Sequence, residues 1–207
     1  MEEYSTIIAS LITCIGTIAS VYLGKVVLER KNKPTKDPIV SDAENSENVY
    51  VNLEYLLEVS NCDRAYVMQF HNGGHYVSGK SQQRFSCTHE VCSKGISKEC
   101  EKSQNHLVSN FNHYVKEILR SKEYTYTNIG EINDQSFRNL LESKGVQAIY
   151  NVPLKTLEGK VIGILGLDYV KKRPENCIEE MFKDIHTKED LDCFMRRQAR
   201  TLTGYLI

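Results

Sequence analysis

The sequence contains no tryptophan, no Cys-x-x-Cys pair, no internal repeat and almost no net charge. Its formal charge is −1, from 26 basic and 27 acidic residues, so no overall field attracts nucleic acid. The missing Cys-x-x-Cys pair removes the usual spacing of zinc modules. Twelve tyrosines and six phenylalanines still supply aromatic bulk for a core. The 207 residues therefore predict one domain with an appendage.

The longest uncharged stretch lies near the N-terminus, at residues 4–24. As a helix these residues would span about 31 Å, which matches the roughly 30 Å hydrocarbon core of a bilayer. The charged residues before the stretch are both acidic, Glu2 and Glu3, and the basic residues that closely follow it are Lys25, Arg30, Lys31, Lys33 and Lys36. The length of the stretch predicts a membrane anchor at residues 1–29. The charge asymmetry predicts that the N-terminus lies outside and the soluble domain in the cytoplasm. A cleaved signal peptide and a buried amphipathic helix are the alternatives.

Small residues in this stretch favour self-association. Ser20-x-x-x-Gly24 and Gly16-x-x-x-Ser20 have the spacing that lets two membrane helices approach closely, so we expect a homo-oligomer. Residues 30–47 are polar, contain Lys33-Pro34 and Asp37-Pro38, and lack apolar periodicity. They predict a linker ahead of a soluble domain at residues 48–207.

The soluble domain shows both helical and strand patterns. Apolar spacing predicts a helix from Val49, a second across residues 106–121, a short helix ending near Gly145 and a terminal helix. Residues 146–154 and 160–169 are the most strand-like pair, and the Glu158-Gly159 turn between them indicates a hairpin. Gly163 and Gly166 interrupt a run that is apolar on both faces, as in a central strand covered by a helix. The pattern predicts an α+β fold with a central antiparallel sheet flanked by helices, preceded by a single transmembrane helix.

Residues 64–90 carry the most unusual chemistry and predict two strands joined by a polar, glycine-containing loop. Alternation in the second strand places four side chains on one drier face: Phe85, Cys87, His89 and Val91. The glycines let backbone approach a ligand, so we expect the site here. The candidate ligand-binding residues are Phe70, His71, Asn72, Gly73, His75, Tyr76, Ser86 and Thr88. Residues 92–103 are charged and predict a mobile loop.

Three other interpretations of this region remain open. Cys87, Cys92, Cys100 and His89 could supply zinc ligands, but their spacing matches no standard module. A Cys-His nucleophile pair would need an oxyanion site, and no motif indicates one. The histidines could also lie in a solvated turn. We therefore predict no metal and no enzymatic activity, with the cysteines as free thiols in a reducing compartment.

The hairpin near the C-terminus contains the segments Ala148-Ile149-Tyr150-Asn151-Val152-Pro153-Leu154, Glu158-Gly159-Lys160 and Val161-Ile162-Gly163-Ile164-Leu165-Gly166-Leu167-Asp168. These segments resemble the hairpin of GAF domains. GAF domains are small-molecule sensors and dimerisation modules, usually without catalytic activity, so the resemblance implies a membrane-anchored sensing module that binds a small molecule or a protein partner. The sequence lacks the signature of cyclic-nucleotide-binding members and a bilin-attaching cysteine in the usual place. The cofactor is therefore unknown.

A second resemblance concerns only the arrangement of the chain. The holins of T-even phages also place one transmembrane helix before a compact domain, and Arg196-Arg197-Gln198-Ala199-Arg200-Thr201-Leu202 is faintly similar to their C-terminal end. Those holins send the domain outward, whereas the charges here indicate a cytoplasmic domain. A phage holin-like lysis protein is the alternative function.

Overall fold

The computed structural model describes residues 15–25 and 37–207, and the chain divides into two compact units, Met1–Asp42 and Ala43–Ile207. In the first unit, residues 15–25 form a helix with exposed side chains. The rest of the predicted span and residues 26–36 of the predicted anchor and linker lie outside the described residues. Among the described helices, none combines the length and the apolar character needed to cross a bilayer. The transmembrane anchor and its orientation stay predictions.

Helix α1 covers Pro38–Val59 and begins earlier than the sequence indicated. Asp37 Oδ1 accepts the N–H of Ile39 at 2.8 Å, and the proline that follows Asp37 suits the first turn of a helix. The Asp-Pro pair therefore starts a helix inside the predicted linker, and residues 38–47 are helical. Farther along, the predicted apolar stripe is buried, at Val49, Leu53 and Leu56.

The sheet has six antiparallel strands. They are β1 Arg64–His75, β2 Ser81–Cys92, β3 His106–Leu107, β4 Tyr124–Tyr126, β5 Ala148–Lys155 and β6 Val161–Tyr169. Their order is β3-β2-β1-β6-β5-β4, so the β1–β2 and β5–β6 hairpins lie side by side. The predicted β5–β6 hairpin and the central place of β6 are confirmed, because β6 pairs with both β1 and β5.

Three further helices complete the domain: α2 Asn112–Arg120, α3 Gln135–Ser143 and α4 Lys188–Tyr205. The helix expected over residues 106–121 starts later, because β3 and a 3₁₀ turn, Val108–Phe111, occupy its first third. The predicted α+β domain with an antiparallel sheet flanked by helices is confirmed.

Each face of the sheet carries its own hydrophobic cluster. Helices α1 and α4 bury their apolar stripes on one face, the α1/α4 face, and α2 and α3 bury theirs on the other, the α2/α3 face. Members of the first cluster include Leu53, Leu56, Val67, Leu165, Met195 and Leu202. Members of the second include Tyr66, Phe85, Phe111, Tyr114, Phe137 and Ile164. A sheet covered on both faces explains why β5 and β6 read as almost continuous apolar runs.

Candidate functional site

The polar loop predicted between β1 and β2 is mostly strand. Strand β1 continues to His75, so only residues 76–80 form the turn. Asn72 pairs with Gln83 across the hairpin, and the register shifts between Asn72 and His75. The glycine pair lies at that irregularity, and Gly74 adopts a φ of 106°. The two glycines thus accommodate a bulge in an extended hairpin.

The eight candidate ligand-binding residues occupy different surroundings. His71 Nε2 lies 2.9 Å from Ser86 Oγ, which also accepts the N–H of Asn105 at 2.8 Å. Phe70 lies on the opposite face of the hairpin, where the centre of its ring is 6.0 Å from the centre of the Phe85 ring. The other five are exposed: Asn72, Gly73, His75, Tyr76 and Thr88. The structure therefore brings His71 and Ser86 together and leaves most of the set on the surface of the hairpin.

A β-bulge in β2 changes which side chains share a face. Val67 of β1 pairs with His89, but the next residue of β1 pairs with Cys87, so Thr88 is the extra residue. A single extra residue inverts the alternation beyond it. Glu90 consequently shares the α2/α3 face with Cys87, while His89 lies on the other face. The predicted drier face of Phe85, Cys87, His89 and Val91 is therefore wrong beyond Cys87.

The bulge helps to build a buried ionic network on the α2/α3 face. Arg64 Nη1 donates to Asp168 Oδ2 at 2.8 Å, and Arg64 Nε lies 3.4 Å from Glu90 Oε1. All three side chains are at most 3% exposed. Arg64 Nη2 donates to the carbonyl of Ser97 at 3.2 Å. One guanidinium thus faces two carboxylates in the interior, where charges need partners.

Glu90 also holds the segment that covers this network, residues 93–105, here called the covering segment. Its Oε2 accepts the backbone N–H groups of Glu99 at 2.8 Å and Cys100 at 3.0 Å. Glu99 and Ser103 are buried. The part of the chain predicted to be a mobile, charged loop is instead tied to the sheet by a buried carboxylate.

A second set of polar groups lies beside the network. The Tyr66 hydroxyl donates to Asn151 Oδ1 at 3.4 Å, and Asn151 Nδ2 donates to the Tyr114 hydroxyl at 2.9 Å. Burial raises the pKa of Asp168, and the nearby Tyr66 hydroxyl opposes a small part of that rise. Asp168 Oδ1 is buried and has no hydrogen-bond partner among the residues that the structure describes. A buried acceptor without a partner is unusual, and its desolvation is costly.

The ionisation of these groups follows from their burial. Desolvation raises the pKa of Asp168, and the attraction of Arg64 offsets only part of that rise. Burial alone would lower the pKa of Arg64, but Asp168 and Glu90 outweigh this and raise it, so the guanidinium stays charged. Burial, followed by the charge of Asp168, raises the pKa of Tyr66, which keeps its hydroxyl protonated.

The raised pKa of Asp168 predicts a pH dependence of stability. A carboxyl whose pKa is higher in the folded than in the unfolded chain stabilises the fold below the unfolded pKa of about 3.9, and that contribution is lost as pH rises through the folded pKa. We expect the Asp168→Asn variant to gain unfolding free energy relative to the unmodified protein as pH rises from about 4. Urea unfolding of both proteins across that range measures it. A difference that does not change with pH would show that Asp168 has an ordinary pKa.

Sequence reasoning missed the residues that meet on the α2/α3 face. They are Arg64, Glu90, Tyr114, Asn151 and Asp168. Two of them are visible in the sequence, because Asn151 and Asp168 are polar residues that interrupt the apolar runs of β5 and β6. Glu90 is not, because only the bulge turns it inward. The Arg64 to Asp168 contact joins residues 104 positions apart, and spacing along the chain does not show such a pairing.

The structure gives little support to a zinc site or a Cys-His nucleophile pair in this region. Cys100 Sγ donates to the carbonyl of Cys87 at 3.3 Å, and burial raises the pKa of Cys87. A raised pKa disfavours the thiolate that a nucleophile needs. In residues 15–25 and 37–207, no three His, Cys, Asp or Glu side chains are placed to hold a metal ion.

No protein-family model matches the chain, and no curated protein matches it. Solved structures do. The blue-light-absorbing form of the PixJ GAF domain of Thermosynechococcus elongatus aligns with a TM-score of 0.58 at 16% identity, covering 80% of this chain and 87% of that one. The GAF domain region of a Geobacter sulfurreducens protein aligns with a TM-score of 0.53 at 12% identity, covering 81% and 96%.

A third similar structure, a far-red-absorbing dark state with bound biliverdin IXα, aligns with a TM-score of 0.54 at 13% identity, covering 78% of this chain and 89% of that one. At these identities the likeness concerns the fold alone. The fold of the described domain is GAF-like, as the hairpin resemblance implied. None of these comparisons supports the holin alternative.

Proposed function

We propose that the protein is a membrane-anchored, non-catalytic GAF-like module. It binds a small molecule, and the bound state changes its contact with a partner. The GAF-like fold supports a sensory role, and a structure similar to this chain holds biliverdin. The observation that carries the proposal is Asp168 Oδ1, a buried acceptor without a hydrogen-bond partner among the described residues. It lies beside the charged Arg64 and the Tyr66 hydroxyl, so a polar ligand would find both donors and acceptors there.

The covering segment provides a route for signalling. The Glu90 carboxylate forms an ion pair with Arg64 and accepts two backbone hydrogen bonds from the covering segment. A ligand that hydrogen-bonds to Arg64 competes with Glu90 for the guanidinium, and a displaced Glu90 carboxylate would weaken its hydrogen bonds to the covering segment. The eight residues predicted from sequence, including His71 and Ser86, stay a prediction for further ligand contacts.

Native mass spectrometry of the full chain, purified in mild detergent from its own membranes, tests this function. We expect a retained small molecule on the unmodified protein and its loss from the Asp168→Asn variant, because the amide has one acceptor oxygen and a donor NH₂ where the carboxyl has two oxygens, of which Arg64 already binds one. Glu142→Gln, at an exposed helix position, is the control and should retain the molecule. A bare protein, together with no thermal stabilisation of it by a metabolite extract, would refute the ligand-binding function.

The anchor, its orientation and the homo-oligomer are further parts of the proposal. The charge asymmetry around residues 4–24 supports a cytoplasmic domain, and α1 leaves Val51 and Tyr55 about half exposed for a second copy. A reporter active only outside the cytoplasm, fused after Ile207, should stay silent. Crosslinking in native membranes should give a dimer or larger species. An active reporter would favour the outward arrangement of a holin.

A further inference from the structure

A groove of about 460 Å³ runs between helix α4 and the turn of the β5–β6 hairpin. It lies where β5 continues past its neighbour, because β4 pairs only with residues 149–151 of β5. We call it the basic groove, and its lining residues include Lys122, Val152, Lys155, Leu157, Arg196 and Arg200. Its volume is in the range of small-molecule sites.

The charge of the basic groove has one sign. Lys122, Lys155, Arg196 and Arg200 line it, and no acidic residue does among those that the structure describes. None of the four forms an ion pair with a residue in the described part of the chain. Arg196 Nε donates to the backbone carbonyl of Asp192 at 2.9 Å, which leaves its other N–H groups available to a ligand.

The floor and rim of the basic groove are apolar. Val152 and Ala199 belong to the buried cluster on the α1/α4 face. Leu157, at the hairpin turn, is 97% exposed and lines the groove. An exposed leucine beside four cations suits a ligand that has both an apolar body and a negative charge.

We propose that the basic groove binds the anionic head of an amphiphile, a phosphate or carboxylate carried on an alkyl or aryl body. Arginine and lysine side chains bind the head by charge-assisted hydrogen bonds, and Leu157 and Val152 contact the body. Two sources share this chemistry, a lipid of the bilayer and a free amphiphile. The groove borders the α1/α4 face, so it is separate from Asp168 and does not depend on the ligand proposed there.

The absence of native tryptophan gives a clean readout. A Leu157→Trp variant of the full chain carries one tryptophan, which reports on the groove alone. In the presence of phosphatidylcholine vesicles we expect hexyl phosphate to shift the tryptophan emission to shorter wavelength. Inorganic phosphate, which lacks the alkyl chain, and hexanol, which lacks the negative charge, should shift the emission much less. Replacing a third of the phosphatidylcholine by phosphatidylglycerol tests the lipid source.

Helix α4 supplies a matched control. Arg196 and Arg200 line the groove, while Arg197, which is also exposed, does not. In the Leu157→Trp background, Arg196→Glu with Arg200→Glu should raise the half-saturating concentration by about tenfold or more. Arg197→Glu should leave it within about twofold. All of these side chains are exposed, and circular dichroism checks that the fold is kept.

The outcomes of these measurements distinguish a free amphiphile from a bilayer lipid and test whether the basic groove binds either. A response to hexyl phosphate in phosphatidylcholine indicates a free amphiphile, and a response only to phosphatidylglycerol indicates a lipid. Each supports the proposal if it depends on Arg196 and Arg200. No emission shift with either probe overturns it, as does an equal loss in the Arg197→Glu variant, which would indicate general surface charge.

Discussion

Replacing Arg64 by methionine is expected to lower the free energy of unfolding by about 3–5 kcal/mol. The change leaves Asp168 and Glu90 buried at 3% exposure without the guanidinium that pairs with them. Methionine keeps much of the volume of arginine, so the loss reports on the charge and its hydrogen bonds rather than on a cavity. Urea denaturation of the full chain at pH 7, followed by circular dichroism, measures it.

A surface ion pair is the matched control for Arg64. Lys183 Nζ lies 3.3 Å from Glu58 Oε1, close to the separation of Arg64 and Glu90, but both side chains are more than half exposed. Lys183→Met should therefore cost less than about 1 kcal/mol. If Arg64→Met cost no more than this control, the network would not hold buried charge, and the site proposed around Asp168 would lose its basis.

A second substitution separates the two carboxylates. With Arg64 replaced, Asp168→Asn removes one of the buried charges that lost its partner, so the double variant should recover part of the stability. The recovery should be larger at pH 8 than at pH 5, because the raised pKa of Asp168 leaves more of it neutral at the lower pH.

The sequence predicts the fold where local pattern decides the structure. The β5–β6 hairpin follows from two apolar runs around a glycine turn, and Gly159 adopts the positive φ of 82° that the turn requires. The terminal helix and α3 follow from apolar spacing in the same way. In each case the residues that fix the element are neighbours in the chain, so spacing alone identifies it.

The site is less predictable because distant residues form it. A polar, glycine-rich stretch indicated the β1–β2 hairpin, but polarity there reflects exposure, and residues 72–80 are exposed. The buried cluster depends instead on one bulge at Thr88 and on the pairing of β1 with β6. Neither is visible as a periodicity, because a bulge shifts the pattern by one residue and register is set by tertiary packing.

The second large effect is expected at Gly166, which shapes both the sheet and the site. A Cβ at this position would lie 2.2 Å from Cζ of Tyr66 and 2.5 Å from its hydroxyl oxygen. The tyrosine ring therefore lies directly over the glycine, and this placement brings its hydroxyl to Asn151. Tyr66 is buried, so its ring has little space to move away.

Gly166→Ala should consequently destabilise the fold by about 2–3 kcal/mol through overpacking, even though alanine restricts the unfolded chain more than glycine does. Gly204→Ala is the control, because an added Cβ would meet no described atom within 4 Å beyond its chain neighbours and the nearby backbone of α4, and a helix favours alanine; we expect a gain of about 0.5–1 kcal/mol. Tyr66→Phe with Gly166→Ala should restore little, because the ring atom Cζ remains in contact. Urea unfolding of the four proteins measures these differences. A Gly166→Ala variant as stable as the unmodified chain would show that the Tyr66 ring can move away from Gly166, which would remove its hydroxyl from the proposed site.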